Sequence, residues 1–486
     1  MRAQLHFVRG WFSQSGFRRD AAVLFTSTAL ARGLLLITMP LVARHFVPED
    51  VGNWQLFVSI GTVLGTIVCL RYEVAIPLPA EEQKARDLVG TGTLVAGVVA
   101  LLLALVMLTL RGLFIEWIAS PALVPYLWYL PAMALLIGCE QTATYWLTRT
   151  GDFTSQGISR LLKSGFSVAL PLALAIALHA QLSYLIVGTL LGQLAATAFM
   201  LRRDMWQADT WSFNAAKRAR MWAVMREYKN YPLYVAPYAF VGQFAKRLVF
   251  FLLAKYAGAS VVGYFAMAMQ VTFVPITFIT GALNQAFYRR ASLREDIRDL
   301  QPLVFKVLYL QVIAAVPAFT LLVLHADYVM RVVLGRNWGE TSAYVAWLAP
   351  ASLSTFLTSW LDRMLDKLGE QRLAVIMQLI YDASSLLLLM YLLATKHSTV
   401  LSVAAYCGMT TLYSFSWLVV AFSRAGYSMG RLGRLALLAI ALAGIVLAVH
   451  MPAAKLLAQP FGLIAETACA GVLALAALKL TRKSWA

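Results

Sequence analysis

The chain has 486 residues, of which 60% are hydrophobic and 13% charged, with a mean hydropathy of +0.71. Soluble domains carry about 25% charged residues, so the composition excludes a soluble enzyme, a disordered chain and a secreted disulfide scaffold. The net charge of +18 would suggest nucleic acid on a soluble chain; here it is read as Lys and Arg gathered in cytoplasmic loops, and no nucleic-acid partner is expected.

Residues 1–20 form a basic tail with Arg2, Arg9 and Arg18. Leu5, Val8, Trp11 and Phe12 recur at helical spacing, so this tail is either a short interfacial helix or a plain basic extension. The first apolar run, 21–43, is too long for the apolar region of a cleavable signal. A hydrocarbon core about 30 Å thick needs roughly 20 helical residues. Fourteen runs meet that need: 21–43, 51–70, 88–110, 122–147, 158–178, 182–201, 231–254, 260–287, 303–324, 341–361, 372–394, 398–423, 432–450 and 460–480. They are continuous rather than alternating, which predicts an all-α polytopic membrane protein and not a β-barrel.

With the N-terminus inside, the inner connections and both termini hold 30 Lys and Arg against seven outside, which predicts cytoplasmic termini. The largest inner connection, 202–230, interleaves Met221, Trp222 and Met225 with basic residues and is expected to lie on the membrane surface.

Two halves overlay. Ala43-Arg44-His45 and Val51-Gly52-Asn53-Trp54 match Ala254-Lys255-Tyr256 and Val262-Gly263-Tyr264-Phe265 at an offset of 211 residues. Trp146-Leu147-Thr148-Arg149 matches Trp360-Leu361-Asp362-Arg363 at an offset of 214. An offset of six spans preserves orientation, so the repeats are parallel. The expected organisation is a tail (1–20), an N-lobe of spans 1–6 (21–201), a basic linker (202–230), a C-lobe of spans 7–12 (231–423), and spans 13–14 with a short tail (424–486). Two six-helix lobes around a central cavity plus two C-terminal helices is the predicted fold. Gly52 and Gly263 are expected at structural turns, and the Gly61–Gly65 and Gly188–Gly192 pairs at close helix contacts.

Ionisable side chains at mid-span cost at least about 2.5–3.5 kcal/mol and mark functional positions by default. Arg32, Glu140, Lys246, Arg247 and Asp382 are such residues; Lys306 and Glu466 lie near span ends and are expected to snorkel. Thr28, Thr144, Gln243, Gln378 and Ser385 lie at helical spacing from them, on polar stripes. Three cations against two acids suit a wet cavity that binds an anionic group, with the carboxylates as proton or cation sites. The alternative is packing ion pairs, Arg32 with Glu140 and Lys246 or Arg247 with Asp382. Arg71, Glu73, Arg149 and Arg363 sit at cytoplasmic span ends, either as a gate or as surface ion pairs. The four cysteines lack C-x-x-C spacing, the six histidines are scattered, and no nucleotide-binding loop occurs, so neither cofactor nor metal is expected.

The stretches Arg44-His45-Phe46-Val47-Pro48-Glu49-Asp50-Val51-Gly52 and Leu70-Arg71-Tyr72-Glu73-Val74-Ala75-Ile76-Pro77-Leu78-Pro79 resemble those of Wzx-type oligosaccharide flippases. These are bacterial members of the multidrug/oligosaccharidyl-lipid/polysaccharide exporter superfamily. The resemblance implies a V-shaped bundle that flips undecaprenyl-pyrophosphate-linked repeat units across the inner membrane by alternating access, for O-antigen, capsule or exopolysaccharide. It implies cationic cavity residues, ion coupling in some members, a lipid-linked substrate, and partnership with a polymerase and a chain-length regulator. Relatives often carry an acid before the span-7 Arg, where this chain has Lys246. Two other readings stand beside it. A multidrug exporter of the same superfamily would need a carboxylate-dominated cavity. A membrane polymerase or ligase would need acids or bases on a sizeable outer loop, and the outer loops are short; an enzyme is not expected.

Overall fold

The computed structural model describes residues 26, 30, 33–34, 36–109, 112, 120–201, 214–294, 296–456 and 461–482. Over these the chain is helical, and no strand occurs among the described residues. Each predicted run is helical over most of its described part, with non-helical residues at 68–70, 178, 273 and 398. By length and hydropathy, nine of the described helices suit a membrane crossing, or ten if two helices bent by 44° around Phe273 count as one. The reading of fourteen crossings exceeds this number. Glu49, Asp50, Asn53 and Gln55 dilute the helix Pro48–Ile67, and most of 21–35 lies outside the described residues.

Backbone contacts divide the chain into two compact units, one ending at Gly263 and the other starting at Tyr264. The first contains α1 (36–45), α2 (Pro48–Ile67), a 3₁₀ turn (Tyr72–Ala75), α3 (Glu82–Thr109), α4 (Leu130–Thr150), α5 (Phe153–Ala177), α6 (Leu182–Leu201), α7 (Ala215–Glu227), α8 (Ala236–Ala257) and the start of α9 (Ala259–Thr272). Pro48 opens α2 with Glu49 and Asp50 in its first turn, where the exposed N–H groups favour negative charge. Gly151, at φ +76°, ends α4, and Asp152 then caps α5 by accepting the Ser155 N–H at 3.0 Å. α5 and α6 form a close hairpin: a Cβ on Gly188 would strike Pro171, and one on Gly192 would strike Lys163 and Ser167. The expected small-residue contact is therefore a packing contact.

At one end of this unit Tyr72, Ile76, Leu88, Trp146, Met200 and Val224 form a buried cluster. α7, the described part of the expected surface linker, docks there, on α3. Its Met221 and Val224 are buried, Arg220 pairs with Asp87 at 3.1 Å, and Lys84 pairs with Glu227 at 2.6 Å. Trp222 alone of the three interleaved apolar residues is largely exposed.

The second unit contains α10 (Val274–Ser292), α11 (Gln301–Leu324), α12 (Ala326–Leu334), α13 (Thr341–Thr358), α14 (Met364–Lys367), α15 (Gln371–Ala394), α16 (Thr399–Ala425), α17 (Met429–Leu456) and α18 (Phe461–Arg482). α13 packs on α16 and α11, while α17 and α18 pack on α11 and on each other. Phe287, Phe305, Trp360, Trp417, Phe422 and Tyr427 centre its core. Trp146 and Trp360, at matching positions of the repeat, are thus core residues of their respective units.

Gly52 and Gly263 are helical and are not turns. A Cβ on Gly52 would fall onto the Ala259 carbonyl and 2.9 Å from the Gly263 nitrogen. A Cβ on Gly263 would fall onto the Pro48 carbonyl and 3.2 Å from the Gly52 nitrogen. The contact is reciprocal between the two residues that the repeat equates. Only glycine allows backbones this close. Gly52→Ala and Gly263→Ala should each destabilise the protein by roughly 1–3 kcal/mol, the usual cost of overpacking, whereas Gly242→Ala, which would meet nothing within 4 Å, should not. Thermal unfolding of the three variants in detergent checks this; equal melting temperatures would contradict the crossing.

Candidate functional site

Four groups of polar side chains stand apart from the apolar packing. The first surrounds Glu140, midway along α4. Lys163 of α5 donates to its Oε2 at 2.8 Å, and Gln193 of α6 donates to the same oxygen at 2.6 Å. Three helices thus converge on one carboxylate whose side chain is 14% exposed. Thr144, on the predicted polar stripe, bonds back to the Glu140 carbonyl and not to the carboxylate. Lys163 stands with the inner-side basic residues when the sequence is read by loops, yet it lies ten residues into α5, deep enough to reach Glu140.

The second group is Lys246 and Arg247 on α8. Lys246 is exposed and Arg247 half-buried. The Arg247 guanidinium stands 6.0 Å from the Phe250 ring, at the limit of cation–π contact. Among the described residues, neither makes an ion pair. Arg32 lies outside the described residues.

The third group is in the second unit. Asp382 accepts from Gln378, one turn earlier on α15, at 2.8 Å. Gln378 in turn accepts from the Tyr413 hydroxyl of α16 at 2.8 Å. Tyr413 stacks on Tyr381 with ring centroids 4.5 Å apart, and the Tyr381 hydroxyl meets Thr410 at 2.8 Å. Of the residues flanking Asp382, Gln378 engages its carboxylate, whereas Ser385 donates to its backbone carbonyl.

The fourth group holds the turn after α2. Leu70 (φ 49°) and Arg71 (φ 65°) both adopt the left-handed conformation, which costs roughly 1–2 kcal/mol per residue without glycine. Two contacts over-determine the turn. Arg71 pairs with the buried Glu73 at 3.5 Å. Arg149, from the end of α4, donates to the carbonyls of Ile76 and Pro77 at 3.4 Å, of Ala80 at 3.3 Å, and of Pro79. A guanidinium has five donors and suits such a row of carbonyls. Burial pushes the Glu73 carboxyl above its ordinary range, and its backbone hydrogen bond and Arg71 only partly offset this. Arg363 lies in the second unit, exposed, 3.1 Å from Asp366 and 5.9 Å from the Tyr288 ring. The structure therefore gathers Arg71, Glu73 and Arg149 about one turn and puts Arg363 in a surface pair.

Two features escaped sequence reasoning. Lys163 and Gln193 as partners of Glu140 were signalled only by their depth within spans. Glu466, expected to snorkel, is buried between His325 and His450, which lie 125 residues apart in the chain. No short motif announces that meeting.

The family model described as "Polysaccharide biosynthesis protein" matches residues 41–343. No curated protein matches. Among solved structures, "Lipid II flippase MurJ, inward closed conformation" superposes with a TM-score of 0.74 at 11% identity, covering 95% of this chain and 99% of that one. An inward-facing MATE multidrug resistance transporter of the MOP superfamily superposes at 0.60 and 14% identity, covering 81% of this chain and 94% of that one. A MATE structure in complex with MaL6 superposes at 0.53 and 15% identity, covering 84% and 96%. The all-helical fold is therefore that of membrane flippases and transporters.

Glu73 gives a signed pH test. A carboxyl with a raised folded-state pKa leaves the native state holding more protons than the unfolded one, so its stability contribution is full below the unfolded pKa and lost as pH rises through the folded value. Glu73→Gln should therefore melt higher relative to wild type at mildly alkaline pH than at acidic pH. Melting curves across that range check the sign; a Gln variant that loses ground as pH rises would reverse the balance between burial and Arg71.

Proposed function

Because the chain belongs to the polysaccharide biosynthesis protein family, matched over residues 41–343, we propose that it flips a lipid-linked oligosaccharide across a membrane. The substrate in this reading is an undecaprenyl-pyrophosphate-linked repeat unit, the membrane is the bacterial inner membrane, and the product feeds O-antigen, capsule or exopolysaccharide. The observation that carries it is the pair of cations on α8, Lys246 and Arg247, neither in an ion pair among the described residues, while Glu140 is held by Lys163. A pyrophosphate is prohibitively costly to move bare through hydrocarbon. Cations in a wet cleft remove most of that cost, while the lipid tail stays in the bilayer. Superposition on a lipid II flippase supports a lipid-linked cargo. A drug exporter would need its acids free for cationic cargo, and Glu140 is already occupied.

In this reading Arg247 and Arg32 bind the anionic group, with Lys246 next. Glu140 and Asp382 set local polarity or couple proton or sodium movement. The Arg71–Glu73–Arg149 turn forms the cytoplasmic gate in one repeat, and Arg363 its counterpart in the other. Thirty inner Lys and Arg against seven outer ones support cytoplasmic termini. A polymerase and a chain-length regulator are the proposed partners downstream.

Arg247→Ala should abolish surface polysaccharide without loss of membrane-inserted protein, and Arg247→Lys should retain part of it. The assay is complementation of a deletion strain, with lipid-linked units quantified on each leaflet. Units trapped on the cytoplasmic leaflet of the deletion strain are expected. Units reaching the outer leaflet but remaining unpolymerised would point to a polymerase, and wild-type activity in Arg247→Ala would remove that residue from the site.

A further inference from the structure

At one end of the second unit, three helices bring together imidazole and carboxylate groups that the proposed function does not use. His325 is at the joint between α11 and α12, His450 is on α17 and Glu466 on α18. His325 Nε2 lies 2.8 Å from Glu466 Oε2, and His450 Nδ1 lies 3.1 Å from each Glu466 oxygen. The two imidazoles meet edge to face with centroids 5.1 Å apart. The side chains of His325 and Glu466 are 2% and 1% exposed, and that of His450 is 23% exposed. One ligand atom from each residue lies within 4.8 Å of the others.

The geometry points to a zinc site formed by His325, His450 and Glu466. Two imidazoles and one carboxylate are a donor set that zinc takes with a fourth position open to water. A tetrahedral zinc ion bonded at about 2.0–2.1 Å holds neighbouring ligands roughly 3.3 Å apart. The two imidazole–carboxylate separations of 2.8 and 3.1 Å need to open by a few tenths of an ångström, and the two ring nitrogens, within 4.8 Å of each other, need to settle at the same spacing. Two ring nitrogens and a carboxylate oxygen converge where His325 and Glu466 are almost fully buried, and a divalent cation would bond all three. The partly exposed edge of His450 gives the entry path.

The consequence is architectural. α11 belongs to the core of the second unit, whereas α17 and α18 are the two helices beyond the repeat. A metal held by one ligand from each clasps the last two helices to the unit at that end, and its binding free energy adds to the stability of the assembled bundle.

The test uses full-length, tag-free protein in detergent, stripped with a chelator and titrated with zinc chloride at neutral pH. Wild type is expected to bind one zinc per chain, with an absorption-edge spectrum showing two imidazole nitrogens and a carboxylate oxygen. His450→Ala should weaken binding by more than about a hundredfold, since loss of an outer partner of a ligand alone costs 10–100-fold. Zinc should raise the melting temperature of wild type and leave that of His450→Ala unchanged. No zinc in wild type, or equal affinity in His450→Ala, would overturn the site and leave a proton-bridged triad. Where His325→Ala or Glu466→Gln fails to insert, the wild-type spectrum and the partly exposed His450 still decide.

Discussion

The crossing of α2 and α9 at Gly52 and Gly263 leaves no space for a side chain on either helix. Between apolar helices in lipid there is no hydrophobic gain to drive association, so close backbone packing has to supply it. This crossing explains why residues up to Gly263 form one compact unit. α8, which the repeat equates with the first span, packs on α2 and leads through Gly258 into the contact. The helix that carries Lys246 and Arg247 thus packs on the same α2 that makes the crossing. A shift of either glycine would move Lys246 and Arg247 along with the helix that carries them.

Charge within the first unit is arranged by depth. Glu140 sits mid-helix and finds Lys163 and Gln193 on two neighbouring helices, so three helices share one electrostatic contact. The pair is only partly buried, with the Lys163 side chain 39% exposed, so screening limits what it adds to stability, while loss of Lys163 would leave the largely covered Glu140 carboxylate without its cation. Lys246 and Arg247 differ from Glu140 in making no ion pair among the described residues, one being exposed and the other half-buried. The first unit therefore holds a paired acid on α4 and two cations on α8 that make no ion pair among the described residues.

The helical fold and the positions of the helices were legible because continuous apolar runs near bilayer length admit few other structures. Gly52 and Gly263 stood out in the sequence overlay as expected turns, whereas both are helical and pack against each other. A P-E-D-x-G stretch looks like a loop from its polar residues, yet Pro48 and two acids also make a good first turn of a helix. Site partners were less legible. Spacing along one helix places Gln378 beside Asp382, because those residues are four apart. It is silent on Glu140 with Lys163, or His325 with Glu466, whose meeting depends on how separate helices pack. α7 shows the same limit: its alternation of basic and apolar residues does not name its protein partner, which is α3 through Arg220–Asp87 and Lys84–Glu227.

Arg149 and Arg363 occupy matching places in the repeat, beside matching buried tryptophans, yet they do different work. Arg149 faces a chain with prolines at 77 and 79, where missing N–H groups leave carbonyls in need of donors. Arg363 faces Tyr288 and the acid one turn ahead of it, and no row of carbonyls is offered. The surrounding sequence therefore determines the role of each arginine, and the repeat only determines where it stands. An exposed pair such as Arg363–Asp366 is worth at most about 1 kcal/mol and exchanges readily with water. A guanidinium spread over four carbonyls resists that exchange, since releasing it would strand several acceptors at once.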